Sequence, residues 1–497
     1  MNRMTARTRS PLAAAAAALL AACSSGGPSP YDVVPPASIC DPPVGLQDVS
    51  HPTTVVGNGS PASCTPARLQ AAADAGGVIV FDCGPASTTI TVSTPIVFRK
   101  ETVLDGGGRV TLSGGGHSRI LYLDSSYDQP TPRLTVQRLA FRDGSSARAV
   151  DDTASGGGAI YRDGGSLTVA DCTFVGNHAP WPGQDIAGGA IYGFGGGETV
   201  IVGSAFAGNA ASNGGAVGSL NGDLTVVNST FTSNSAAGSG GNPGQGGCGG
   251  AVYMDGGREV TTLCGVKIAN NRAGAIGGGF FRVSNSNDGT FGMDRSTVDA
   301  NLVAGSGNAG GLYLQGLAIT MAGSTVSRNQ AFTNGGLWIH TSQAQLTNVT
   351  VASNTATGSN GGGLWLSGSP TGTLLNCTIA DNHATATDVV AGAIFGQGLA
   401  LQNTIISGNS AMWRPGCDVT HADQGGVLQW PAGAGCTAAP VVADPLLGAL
   451  GDHGGPTETL VPDAASPSRG LGTGCPPTDQ RGQPRAEPCT AGAVEVP

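Results

Sequence analysis

One pattern recurs nine times between residues 157 and 411, and it sets most of what this chain can become. Each copy opens with a Gly pair or Ala-Gly, followed by a small residue, an aliphatic or Phe, and usually an aromatic, as in Gly157-Gly158-Ala159-Ile160-Tyr161. The recurring Gly falls at Gly158, Gly189, Gly215, Gly250, Gly278, Gly310, Gly335, Gly362 and Gly392. A second mark follows each, an apolar residue, two variable residues and Asn, as in Phe174-Val175-Gly176-Asn177. It places Asn177, Asn209, Asn234, Asn271, Asn301, Asn329, Asn354, Asn382 and Asn409. From Gly to the next Asn the distance is 17 to 23 residues, whereas from Asn to the next Gly it runs from 6 to 16. A constant framework therefore carries a variable loop at one corner.

Between the marks lie short alternating runs such as Ser166-Leu167-Thr168-Val169 and Leu224-Thr225-Val226-Val227, rich in β-branched residues and bounded by Gly, Asn and Asp. No stretch has helical period, so each repeat reads as two or three short strands joined by turns. Stacking such coils about 4.8 Å apart pairs every strand in parallel with its copy in the next coil and makes one continuous core of the inward aliphatics. The class expected is all-β, a single-stranded parallel β-helix. The repeating Gly fits a need for φ > 0 or for close backbone approach. The repeating Asn fits a structural ladder, an αL-tolerant residue whose amide bonds to the Asn above and below.

Composition agrees. Gly and Pro, 83 and 30 of 497 residues, stay just short of a disordered chain's share, and 39% apolar residues supply a core. Only 11% are charged and the net charge is −10, so no basic stripe exists for nucleic acid. Ahead of the repeats, Thr65 as N-cap and Pro66 at N1 start a short helical pattern through Ala73, expected to cover the first coil and block edge-to-edge association, leaving a monomer. Val78 to Phe81, Thr88 to Val92 and Val103 to Leu104, with the Gly106-Gly107-Gly108 turn, read as early coils.

The N-terminus carries Arg3, Arg7 and Arg9 before a 12-residue apolar run, Pro11 to Ala22. That is too short to cross a bilayer and has the form of a signal peptide. Its end, Leu20-Ala21-Ala22-Cys23, resembles the lipobox of bacterial lipoproteins, which implies lipidation of Cys23, export, and attachment of the protein to a membrane of the cell envelope, an outer membrane or cell surface. The Ser/Gly/Pro-rich stretch that follows reads as a tether. Exported chains oxidise their cysteines. Cys64 with Cys83, Cys417 with Cys436 and Cys475 with Cys489 are the close pairs expected to form disulfides. Cys248 with Cys264 is a further option that leaves Cys40 over, and Cys172 and Cys377 fit small buried apolar groups.

The Gly-Gly-Ala-Ile and Phe-x-x-Asn marks resemble repeats of polymorphic outer membrane proteins and related right-handed, pectate-lyase-like β-helix proteins. The last part of the chain, with Asp444-Pro445-Leu446-Leu447-Gly448, Asp452-His453-Gly454-Gly455-Pro456-Thr457 and Asp479-Gln480-Arg481-Gly482, resembles the choice-of-anchor Q domain. The resemblance implies a right-handed solenoid and a surface location. The expected division is signal peptide 1–22, lipidated tether 23–60, cap and first coils 61–155, β-helix repeats 156–411 and a Cys-braced C-terminal segment 412–497.

Two places are candidates for chemistry. An enzyme acting on acidic polysaccharide would need acidic groups, with calcium as its only implied cofactor, and a base. The densest such region is Arg142, Asp143, Arg148, Asp151, Asp152, Arg162, Asp163 and Asp171, with Asp185 on a long loop, though such charges also suit ordinary turns. The other is an aromatic column, Tyr161, Tyr192, Tyr253, Phe281, Tyr313, Trp338, Trp365 and Phe395, expected to face outward because the residue before each ring points in. Such a stripe can stack on sugars, with Tyr313, Trp338 and Trp365 the residues named for it, or the rings can simply stack on one another. The function expected is adhesion to or binding of surface glycans or proteins; lyase or hydrolase activity and a passive stalk are the alternatives.

Overall fold

The computed structural model describes residues 33, 37–146, 153–433 and 435–496. Its strands form three parallel sheets of 25, 11 and 7 strands that wind as an all-β solenoid of about a dozen right-handed coils. One coil shows the plan: Ile191–Phe194 lies in the 11-stranded sheet, Thr199–Val202 and Ala205–Ala207 in the long sheet on either side of a bend, and Ala210–Ala211 in the short sheet. The next coil repeats it in register, with Ile191 beside Val217, Val202 beside Val227 and Phe206 beside Phe231. Strands in the sequence reading end where the structure ends them within a residue or two, except that Thr102–Ser113 runs through Gly106-Gly107-Gly108 as one strand, with the register slipping between Asp105 and Val110.

Side chains that point inward make one core along the axis. Within it Phe141, Phe174, Phe206 and Phe231 stack face to face at 4.6 to 4.7 Å, one ring per coil. The nine ladder Asn are buried at the turn into the short sheet. From Asn209 onward each Oδ1 accepts both the backbone N–H and the Nδ2–H of the preceding rung, as Asn329 does from Asn301 at 2.9 Å twice, while Asn177 at the head of the ladder accepts from Gly144 N–H. Each Nδ2 also donates to a carbonyl of the coil before, Val298 O at 3.0 Å for Asn329. The left-handed conformation expected at these Asn belongs instead to the residue before each, from Gly176 to Gly408, at φ 52 to 67°. The reason is that a turn there aims the following Asn amide along the axis, where its neighbours are.

The Gly pair divides its work. Its first member takes φ > 0, as at Gly157 and Gly361, a place Ala309 and Asn334 also fill. At the second member, a Cβ on Gly335 would lie 2.3 Å from Thr355 N and 2.6 Å from Gly362 O. Close approach is therefore what keeps that column Gly.

The helix Pro66–Ala75 is capped by Thr65, whose Oγ1 accepts from Arg68 N–H, and it buries Leu69, Ala72 and Ala73 on the first coil. Gln70 completes the blocking of the sheet edge: its amide donates to Val97 O at 3.1 Å and accepts from Val97 N–H at 2.9 Å, in place of a further strand. At the other end the chain turns back, and residues 444–496 lie along the outer face of the long sheet. Thr325 Oγ1 donates to Glu458 O, Thr350 Oγ1 to Gln480 Oε1 at 2.6 Å, and Thr378 Oγ1 accepts from Ala493 N–H at 2.9 Å.

Disulfides join Cys64–Cys83, Cys417–Cys436 and Cys475–Cys489 as expected. The pairing of Cys248 with Cys264 does not occur: Cys264 pairs with Cys40, and Cys248 is free and buried. Cys248 precedes a Gly pair at the loop corner, whereas Cys264 ends a strand at the opposite bend, where an N-terminal strap, residues 37–47, crosses the coils. Asn228 holds that strap as well, accepting from Ile39 and Cys40 N–H at 2.9 Å and donating to Cys40 O at 2.7 Å.

Candidate functional site

Outward residues of the 11-stranded sheet form two rows. The first is the aromatic column, extended upward by Tyr122 and interrupted at Gly218, where a Cβ would lie 2.4 Å from Ala187 Cβ. The second row runs beside it through Asp255, Gln315, His340 and Ser367.

The column faces outward as expected, yet only part of it is open. Tyr161, Tyr192, Tyr253 and Phe281 are 4, 0, 1 and 2% exposed, while Tyr313, Trp338, Trp365 and Phe395 are half-buried. Long loops cover the first group. Arg119 lies 4.6 Å over the Tyr161 ring with its guanidinium bonded to Gly157 O and Gly156 O, and burial brings its pKa down to about 10. Asn242 donates to Tyr253 Oη at 2.8 Å and to Asp255 Oδ2 at 2.7 Å, and Tyr253 Oη–H donates to the same carboxylate at 2.7 Å. Burial and that carboxylate hold the Tyr253 phenol well above its usual pKa.

Ring geometry varies along the column: Tyr161–Tyr192, under the cover, is tilted at 39°. Tyr253–Phe281 and Phe281–Tyr313 are stacked at 7 and 13°. Tyr313–Trp338, Trp338–Trp365 and Trp365–Phe395 are tilted at 59, 31 and 39° with centroids 4.2 to 5.6 Å apart. Beside them Ser367 Oγ accepts from Trp338 Nε1–H at 2.7 Å and lies 2.8 Å from His340 Nδ1. The hydroxyl has one proton and two acceptor lone pairs, so it serves the indole N–H and Nδ1 together, whichever ring nitrogen carries the proton. Burial lowers the His340 pKa in agreement with a neutral ring. Gln315 continues the row, donating to Asn287 Oδ1 at 3.1 Å.

Around the loop corner lies an open trough of about 690 Å³, walled by the 237–241 and 304–308 loops and floored by Ser235 and Arg272. Ile276 lines it and packs on the aromatic cluster from the other side. Trough and stripe are thus neighbours across one corner.

Of the charged candidates, Arg148, Asp151 and Asp152 lie outside the described residues, as does Cys23. Asp185 is half-buried on the loop before Ala187. The rest of that group is dispersed: Arg162 points into the core and donates to Gly165 O and Gly197 O at 2.8 and 3.0 Å, whereas Asp143 and Asp171 sit at left-handed bends. Arg282 is buried in the same way, on Gln315 O and Glu259 O. These guanidiniums satisfy turn carbonyls between coils, a role that single charges in a sequence do not announce. Among the described residues the one cluster of three possible metal ligands is Cys40, Cys264 and Asp294, and its two sulfurs are joined to each other.

A family described as right handed beta helix region matches residues 245–437, in accord with the fold. No curated protein matches the sequence. Among solved structures, the A-module of mannuronan C-5 epimerase AlgE6 from Azotobacter vinelandii is similar at 12% identity over 76% of this chain and 96% of that one, with a TM-score of 0.36.

Proposed function

We propose that this protein is a lipid-anchored component of the cell envelope that binds surface glycans along the uncovered part of its aromatic sheet. The observation that carries the reading is the change at Tyr313: Tyr161, Tyr192, Tyr253 and Phe281 before it are buried under loops, while Tyr313, Trp338, Trp365 and Phe395 are half-open. Sugars are recognised by apolar ring contact together with hydrogen bonds to hydroxyls. The half-open rings offer the first, and Gln315, His340 and Ser367 offer donors and acceptors at the right side of the stripe. Anchoring rests on the charged start, short apolar core and Cys23 in one register. No helix among the described residues is long and apolar enough to cross a membrane.

The test is retention on a glycan and polysaccharide array by the soluble form beginning at Ser24. Trp338→Ala and Trp365→Ala are each expected to weaken retention about three- to tenfold, the equivalent of ~0.5–1.5 kcal/mol per ring contact, with an unchanged unfolding midpoint separating loss of contact from loss of fold. Retention equal to the parent in both variants contradicts the reading.

A further inference from the structure

The strap fixes where the N-terminal tether leaves the solenoid. Ala37 lines a cleft with Lys267, Arg295 and Asp452, and Cys40 is bonded to Cys264. Cys264 lies between the sixth and the seventh of the eleven strands of the aromatic sheet, Val252–Asp255 and Phe280–Arg282, so the exit is at mid-length and on the flank. From Cys40 the strap runs toward the first coils, with Val44 packed near Val200, Val202 and Val227 and Gln47 N–H donating to Gln137 Oε1 at 2.8 Å. Around the coil, the strap's bend and the variable-loop corner are opposite. Going one way, the strand Lys267–Ala269 and the short strand Arg272–Ala273 separate them; going the other, Val260–Cys264 and the aromatic strand Val252–Asp255 do.

We infer that the protein is held on its membrane side-on, with the strap flank toward the lipid surface and the loop corner, carrying the trough and the adjoining aromatic stripe, turned away from it. The inference rests on the Cys23 anchor proposed above. Thirteen residues lie between Cys23 and Ala37 and span at most about 45 Å. A dozen coils at about 4.8 Å make a body about 58 Å long, so an upright stance lifts the exit about 29 Å and draws the tether to roughly two-thirds of its limit. Side-on attachment needs no such extension. The chain is acidic overall, with a net charge of −10, and the orientation is argued from the place of the strap and not from surface charge.

The experiment uses the full lipidated chain in phosphatidylcholine vesicles containing nitroxide lipids, with a fluorophore on one introduced cysteine at a time. Free Cys172, Cys248 and Cys377 are buried, and burial raises all three thiols, to about 12 at Cys172 and Cys377, which keeps them unlabelled. Exposed Thr262→Cys reports the strap flank, Ser239→Cys the loop corner, Ala71→Cys the cap and Gln424→Cys the far end. The expected result is at least threefold stronger quenching at 262 than at 239, with equal quenching at 71 and 424, at low and high salt alike. Equal quenching at 262 and 239, or strong quenching at one end alone, overturns the orientation. C40A/C264A/N228G frees the strap back to Gln47 and is expected to shift quenching toward 71; an unchanged pattern overturns the strap's role. Persistence of vesicle binding in Cys23→Ala, or no binding by the parent, contradicts the anchor itself, a failure distinct from a wrong orientation.

Discussion

A single ladder rung shows how much of this fold hangs on one residue type. Replacing Asn329 by Ala leaves Asn301 N–H and Nδ2–H without their acceptor and Val298 O without its donor, all in the interior. At about 1–3 kcal/mol for a buried polar group left unpaired, and with partial relaxation, the loss is expected to be ~3–5 kcal/mol in urea unfolding. The Gly columns separate two physical demands. Gly361→Ala has a Cβ 3.2 Å from Leu364 O and φ of +74°, a place Ala391 fills elsewhere, and is expected to cost about 1 kcal/mol. Gly335→Ala drives its Cβ into backbone and is expected to cost about 3 kcal/mol. Thermal melts of the pair check the ranking. His421 sets a pH dependence. It is buried, its Nδ1–H donates to Leu399 O at 3.1 Å, and its Nε2 has no protein partner, so a second N–H there is costly and burial lowers its pKa. The unfolded chain therefore takes up the proton first, and stability falls as pH drops through the ordinary His value of about 6.5. Unfolding free energy measured between pH 7.5 and 5 should fall less steeply in His421→Gln.

At the scale of elements, the bend between the two long-sheet strands holds both ends of the chain. Asn228 binds the N-terminal strap, while Asn348 donates to Thr478 O at 2.8 Å and accepts from Arg485, Asn376 donates to Thr490 O, and Asn403 donates to Thr473 O. All four are left-handed, at φ 47 to 53°. Gln480 adds a buried clasp, donating to Thr325 and Thr457 Oγ1 at 2.8 Å and accepting from Thr350 Oγ1. Gln480→Ala is expected to lower stability by about 2–3 kcal/mol, the worth of three buried hydrogen bonds at ~1 each, and to hasten proteolysis within 444–496 before the solenoid is cut. The nine repeats were legible because Gly and Asn recur at near-constant distance, and the inward aliphatics followed from strand alternation. The bend Asn were not read, although each begins an Asn-x-Thr or Asn-Thr-Ile run one strand before a ladder Asn. Their partners lie up to 189 residues away, and no local pattern encodes what a chain end will cover.

On the scale of the whole molecule, the aromatic column was legible as a column, because a ring follows the inward residue in every repeat but the one with Gly218. Its division at Tyr313 was not, since loops such as 238–247 decide exposure and their paths depend on contacts between coils. Among the described charged residues from Arg142 to Asp185, winding sends Arg162 inward and Asp163 outward from adjacent positions, which their spacing along the sequence does not show. What remains is an elongated body with one uncovered aromatic edge, a polar row beside it and a trough around the corner. The measurement that bears most directly on this account is the array experiment run with and without calcium, recording retention and the ultraviolet absorbance of new C=C bonds together. Glycan retention that is lost in Trp338→Ala and Trp365→Ala, with no absorbance growth, is the result expected of a binding surface. Calcium-dependent absorbance growth that both variants preserve would contradict it and place the chemistry of this protein elsewhere on the solenoid.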